Sequence, residues 1–195
     1  MQRYFLLLGG LICAASPGLF ASGIDATATF TDSLVSPGVY QYDLTLNNTG
    51  TTTIGTFWFS WIPFDNFMPV SPTSIVTPTG WQEVITSGGP SDGFAIQWIA
   101  KAPADDLAAG GSLSGFEFDS TLTPAQLESP ASGNPSDPVD TAFLYSGEPF
   151  SGSSAQIVAT AATPEPKATL STAFGLGLIV LCSHIFRRRK LTPYP

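Results

Sequence analysis

Histidine and cysteine are almost missing from this chain. Its 195 residues include one His (His184) and two Cys (Cys13 and Cys182), and all three fall in apolar runs near the two ends. Between Ser22 and Thr163 there is neither residue type. That stretch therefore has no base to activate a Ser, Thr or Cys nucleophile, no thiolate, and none of the usual zinc or copper ligands. No intradomain disulfide can form there. No cofactor is expected, and the chain is not expected to be an enzyme.

Positive charge is nearly as scarce. Of seven Lys and Arg, only Lys101 lies between Ser22 and Thr163, whereas fourteen of the fifteen acidic residues do, all but Glu165. The net charge of this stretch is thus 1 − 14 = −13, against −8 for the whole chain. A surface so anionic repels phosphate backbones and anionic lipid, which excludes nucleic acid as a partner.

Long apolar runs are limited to two. The first, Tyr4 to Ala15, follows Arg3 and precedes Pro17-Gly18 and small residues. It is too short to span a bilayer and has the layout of a secretory signal peptide over residues 1–21, with cleavage after Ala21 or Ala15. The second, Ala168 to Phe186, would reach about 28 Å as a helix, close to a bilayer's hydrocarbon core of about 30 Å. His184, two residues from its end, is expected at the membrane interface.

What brackets the second run gives it meaning. Pro164-Glu165-Pro166 stands just before it, and both prolines favour extended backbone that a protease can grip. Arg187-Arg188-Arg189-Lys190 stands just after it, a cluster that holds its end of a helix in the cytoplasm. In this order the three parts resemble the PEP-CTERM sorting signal. The resemblance covers residues 164–190 and implies a substrate of an exosortase-type membrane protease, exported and then released to the cell surface or extracellular matrix. A plain C-terminal membrane anchor is the alternative. The expected organisation is a signal peptide (1–21), an ectodomain (22–160), a linker with the proline motif (161–167), a transmembrane helix (168–186) and a basic cytoplasmic tail (187–195).

The ectodomain reads as strands. In Val39 to Asn47, Tyr40, Tyr42, Leu44 and Leu46 share one face, and Gln41, Asp43, Thr45 and Asn47 the other. Asn47-Asn48-Thr49-Gly50 should turn the chain. Ile54 to Ile62 is apolar on both faces and predicts a central strand. An irregular loop carrying aromatics follows at 63–69. Short strands are expected at 74–77, 81–86, 94–100, 113–119, 141–145 and 155–160. Thr123-Pro124 should cap one helical turn, and 129–138 is expected to be loop. The spacing predicts an all-β fold, a single antiparallel β-sandwich. The segments Tyr42–Gly50 and Leu107–Phe118 weakly resemble paired strands of bacterial Ig-like surface domains.

Two residue sets carry candidate chemistry. Carboxylates are plentiful, and Glu117 and Asp119 would share one face of a strand, where calcium could bridge them; solvated surface acid is the plainer account. A carboxylate-based glycan hydrolase could use such a pair, but no motif supports one. The aromatics are the second set. Trp61, Phe64, Phe67 and Trp81 are candidate glycan-stacking rings, with core packing the competing role. The reading favoured is a structural or adhesive surface protein, with a carbohydrate-binding module for extracellular polysaccharide as the alternative.

Overall fold

The structure is a computed structural model that describes residues 23–88 and 92–162. The expected signal peptide, the proline motif, the apolar run 168–186 and the basic cluster lie outside the described residues. Among those described, no helix is long and apolar enough to cross a membrane.

The described residues form thirteen strands and one short helix, in order: β1 (Ala26–Ser36), β2 (Val39–Asn48), β3 (Thr56–Phe59), β4 (Trp61–Ile62), β5 (Asp65–Asn66), β6 (Thr73–Val76), β7 (Trp81–Thr86), β8 (Ala95–Ala100), β9 (Ser112–Ser120), α1 (Pro124–Leu127), β10 (Pro130–Ala131), β11 (Asn134–Pro138), β12 (Thr141–Tyr145) and β13 (Ser154–Ala161). The all-β expectation holds. The helix has the expected start: Thr123 accepts from the Gln126 amide, Gln126 answers at the Thr123 amide, and Pro124 opens the helix.

Nine strands form one sheet in the order β6-β9-β2-β1-β13-β12-β3-β8-β7. Its two edge strands, β6 and β7, are consecutive in the chain. Five Cα–Cα steps from Val76 to Trp81 reach at most about 19 Å, whereas nine strands laid flat put the edges about 38 Å apart. The sheet must therefore curl until its edges approach, and the result is a nearly closed barrel. This corrects the expectation of a sandwich of two separate sheets. The two halves are joined through a parallel pairing of β1 with β13 that spans only Ala28 to Phe30 on the β1 side.

The core confirms the curl. Phe116 on β9 meets Phe57 of β3, Trp81 of β7 and Trp98 of β8 at centroid distances of 5.2–5.3 Å, all edge to face, although those strands lie far from β9 in sheet order. The alternation in β2 works as the sequence requires: Tyr42, Leu44 and Leu46 are buried, and the Tyr42 hydroxyl donates to the Leu122 carbonyl at 2.6 Å. After β2 the chain turns as expected. Gly50 is needed there because a Cβ would strike the backbone of Gly23 and Asp25.

Other expectations need correction. Ile54 to Ile62 is not one strand, since Ser60 sits at φ 61° and breaks it into β3 and β4. The supposed loop 129–138 contains the β10–β11 hairpin. The last strand, expected at 155–160, is one residue longer at each end, Ser154–Ala161. The longest strand among the described residues, β1, is absent from the strands expected from the sequence.

Candidate functional site: an aromatic hairpin on the outer face

Alternation in β3 sends Phe57 and Phe59 into the barrel and Trp58 out, with Phe143 of β12 as its cross-strand neighbour. Directly after β3, the left-handed Ser60 redirects the backbone, and β4 and β5 form a hairpin (Trp61↔Asn66, Ile62↔Asp65) closed by Pro63-Phe64. The hairpin folds back over the outer face. There Trp61 lies flat on Trp58, with centroids 3.7 Å apart and planes 2° from parallel. Phe150, from the loop between β12 and β13, stands edge-on to both indoles at 5.6 and 5.8 Å, and Phe143 stands edge-on to Trp61 at 5.7 Å. This is a second aromatic cluster, separate from the barrel core.

A polar chain pins the hairpin from the other side. Trp58 Nε1–H donates to Thr86 Oγ1 (3.1 Å), and the Thr86 hydroxyl donates to Asn66 Oδ1 (2.9 Å). Asn66 Nδ2 donates to Asp92 Oδ2 (2.7 Å), and the backbone amides of Asn66 and Gly93 donate to Asp92 Oδ1 (both 3.0 Å). Burial pushes the Asp92 carboxyl up, but these hydrogen bonds and one from Gly88 outweigh it and hold the group below its usual range. Asp65 goes the other way: burial, then the negative charges of Asp92 and Asp137, push its carboxyl up. One carboxylate is thus saturated with donors, and its neighbour sits in a negative field with acceptor capacity to spare.

The four candidate stacking rings have different placements. Trp81 and Phe67 are each 2% exposed within the barrel core. Trp81 Nε1–H donates to the Asp105 carbonyl (3.0 Å), and its burial leaves no open ring face for a sugar. Both are core residues, because each is held between neighbours on an inward position. Trp61 is 3% exposed and serves as the underside of the hairpin. Phe64 is 95% exposed at the hairpin tip, with φ 78°. Phe150, 64% exposed, is a member of the surface set that the sequence reading missed; its segment has no periodicity, and only the apolar ring after Glu148-Pro149 could have signalled it.

The carboxylate candidates also separate. Glu117 and Asp119 share the outer face of β9, with Asp43 of β2 across from Glu117. Among the described residues no three metal-binding side chains converge. Lys101 lines a separate cavity of about 100 Å³ together with Asp106 and Glu148.

No family model matches the chain, and no curated protein matches it. Among solved structures it resembles a GH20 exo-β-N-acetylglucosaminidase from Vibrio harveyi, in an inactive-mutant form (11% identity, TM-score 0.37) and in complex with N-acetylglucosamine (10%, TM-score 0.36). In both cases the match covers 73% of this chain and 19% of the enzyme, so the chain spans about a fifth of the protein it is compared with. Likeness this slight assigns neither a fold family nor an activity.

Proposed function

We propose that this chain is an exported protein of the cell surface or extracellular matrix, structural or adhesive and without catalysis, delivered through its C-terminal signal. The observation that carries this reading is the ordered succession of Pro164-Glu165-Pro166, the apolar run 168–186 and Arg187–Lys190, paired with a signal peptide at the other end. Its partners are an exosortase-type protease and, before processing, the membrane. The absence of His and Cys from Ser22–Thr163 supports a binding or structural role over catalysis. Kinship with Ig-like surface domains is supported by one feature: the two segments that resemble them, Tyr42–Gly50 and Leu107–Phe118, supply neighbouring strands β2 and β9. Fractionation of the native host, followed by antibody detection, tests the location. The protein is expected in the surface or matrix fraction, and recovery from the cytosol alone would overturn the reading.

A further inference from the structure

Phe64 is the most exposed large apolar side chain among the described residues. It occupies a left-handed φ that an L-residue with a bulky side chain adopts only at an energetic cost, and its ring buries almost nothing in return. The hairpin beneath it is fixed on both sides, by the Trp58–Trp61 stack and by Asn66 held between Thr86 and Asp92. The ring is therefore presented on a rigid mount, and a ligand that covers it loses little freedom of the protein on binding. Phe150, also exposed and also at positive φ (64°), stands edge-on to the Trp61 ring of the same hairpin and is a second exposed ring packed on it.

The polar surroundings choose the ligand. Asp65 adjoins Phe64, and Asp92 and Asp137 lie close enough to act on its carboxyl. The single cation among the described residues, Lys101, lines the separate cavity with Asp106 and Glu148. An anionic ligand, or an anionic bilayer, would meet only repulsion here. A large apolar partner would strip water from carboxylates and leave them without donors, a penalty that outweighs the covering of one ring. A neutral polyhydroxylated ring avoids both: its apolar face covers an aromatic face while its hydroxyls donate to carboxylate oxygens.

We propose that the β4–β5 hairpin is a binding site for neutral polysaccharide, with a sugar ring lying on Phe64 and its hydroxyls donating to Asp65, and Phe150 bordering the site. This goes beyond the surface-protein reading, whose test is location, so either one can fail without the other.

The experiment is affinity electrophoresis of the full chain in a neutral detergent, through gels containing laminarin, dextran or galactomannan, with alginate as the anionic control. Retardation by at least one neutral gel and none by alginate is expected. Phe64→Ala should weaken the interaction about tenfold or more, Asp65→Asn several-fold, and Leu34→Ala, at an exposed apolar position on β1 remote from the hairpin in sequence, not at all. Circular dichroism confirms that each variant is folded. No retardation in any neutral gel, retardation by alginate equal to that by the neutral gels, or retardation unchanged by Phe64→Ala would each overturn the proposal.

Discussion

Asp140, immediately before β12, is 1% exposed, and its Oδ1 has no hydrogen-bond partner among the described residues. Burial, followed by the negative charge of Glu128, pushes its carboxyl up to about 7. Because the folded-state value is raised, the folded chain holds a proton between roughly pH 4 and 7 that the unfolded chain has released. Stability attached to this group is therefore greatest at the acid end of that window and falls as pH rises through it. Asp92, held low, acts oppositely, but only below its ordinary range and so outside the window. Asp140→Asn should flatten the decline in Tm between pH 5 and 8 and make the variant the more stable protein at pH 8, by on the order of 1–3 kcal/mol. Thermal melts of both proteins at the two pH values check this. An unchanged slope would mean that the site is hydrated and the carboxyl ordinary. Nothing in the sequence marks Asp140 apart from the thirteen other acidic residues between Ser22 and Thr163. Its burial comes from the packing of α1 and β13 around it, as when the Asp140 amide donates to Leu127 and the Ala159 amide donates to Asp140.

The elements were unevenly legible, and the reasons are physical. Strand β2 announced itself because bulky and polar residues alternate. In β1 the buried positions Ala26, Ala28 and Phe30 include two alanines, and every residue after Phe30 is exposed, so the same period carries almost no hydrophobic contrast. The break at Ser60 had no sequence signal, because a serine between two aromatics suits a strand as well as a left-handed corner. Trp81 follows a turn at the start of a short strand, which by itself does not distinguish a free ring from a buried one; the curl of the sheet carries it over Phe116. The Pro63-Phe64 turn was better marked, and it yields a prediction opposite to intuition. Proline sets φ for the first turn position, and the second, at φ 78°, is one where glycine is free of the Cβ penalty. Phe64→Gly should therefore raise stability by up to about 1 kcal/mol in urea denaturation while removing the exposed ring. A loss of stability would show that the ring packs against something despite its exposure. A gain would show a strained backbone holding an aromatic side chain in water, the pattern expected where function and stability compete.

At the scale of the whole molecule, the sequence spoke most clearly where the structure does not describe the chain, and least clearly about strand order, which depends on contacts between distant segments. Neither the parallel β1–β13 seam nor the curl that carries the edge strands β6 and β7 towards each other leaves a local trace. The terminal signals are local by nature, since a membrane reads length, hydropathy and charge along a short segment. If residues 164–190 are a sorting signal, the basic cluster fixes the geometry: Arg187–Lys190 stays in the cytoplasm, the apolar run spans, and Pro164-Glu165-Pro166 emerges on the outer side within reach of a protease. Nine Leu, Ile, Val and Phe residues in the run contribute about −3 to −5 kcal/mol toward insertion, partly offset by two glycines, hydroxyl residues and His184. So modest a figure suits a segment needed only in transit. The mature protein should then begin near Ser22 and end near Pro166, which intact mass of material from the native host would show. In a host lacking the sorting protease the C-terminus should remain at Pro195. Full-length C-termini in both hosts would leave a plain anchor. Replacing Arg187 through Lys190 with neutral residues should make uncut precursor accumulate, because the orientation signal is gone while the proline motif is intact. If cleavage continued at its normal rate, the basic cluster would have no part in presenting the motif, and the orientation argument would fail with it.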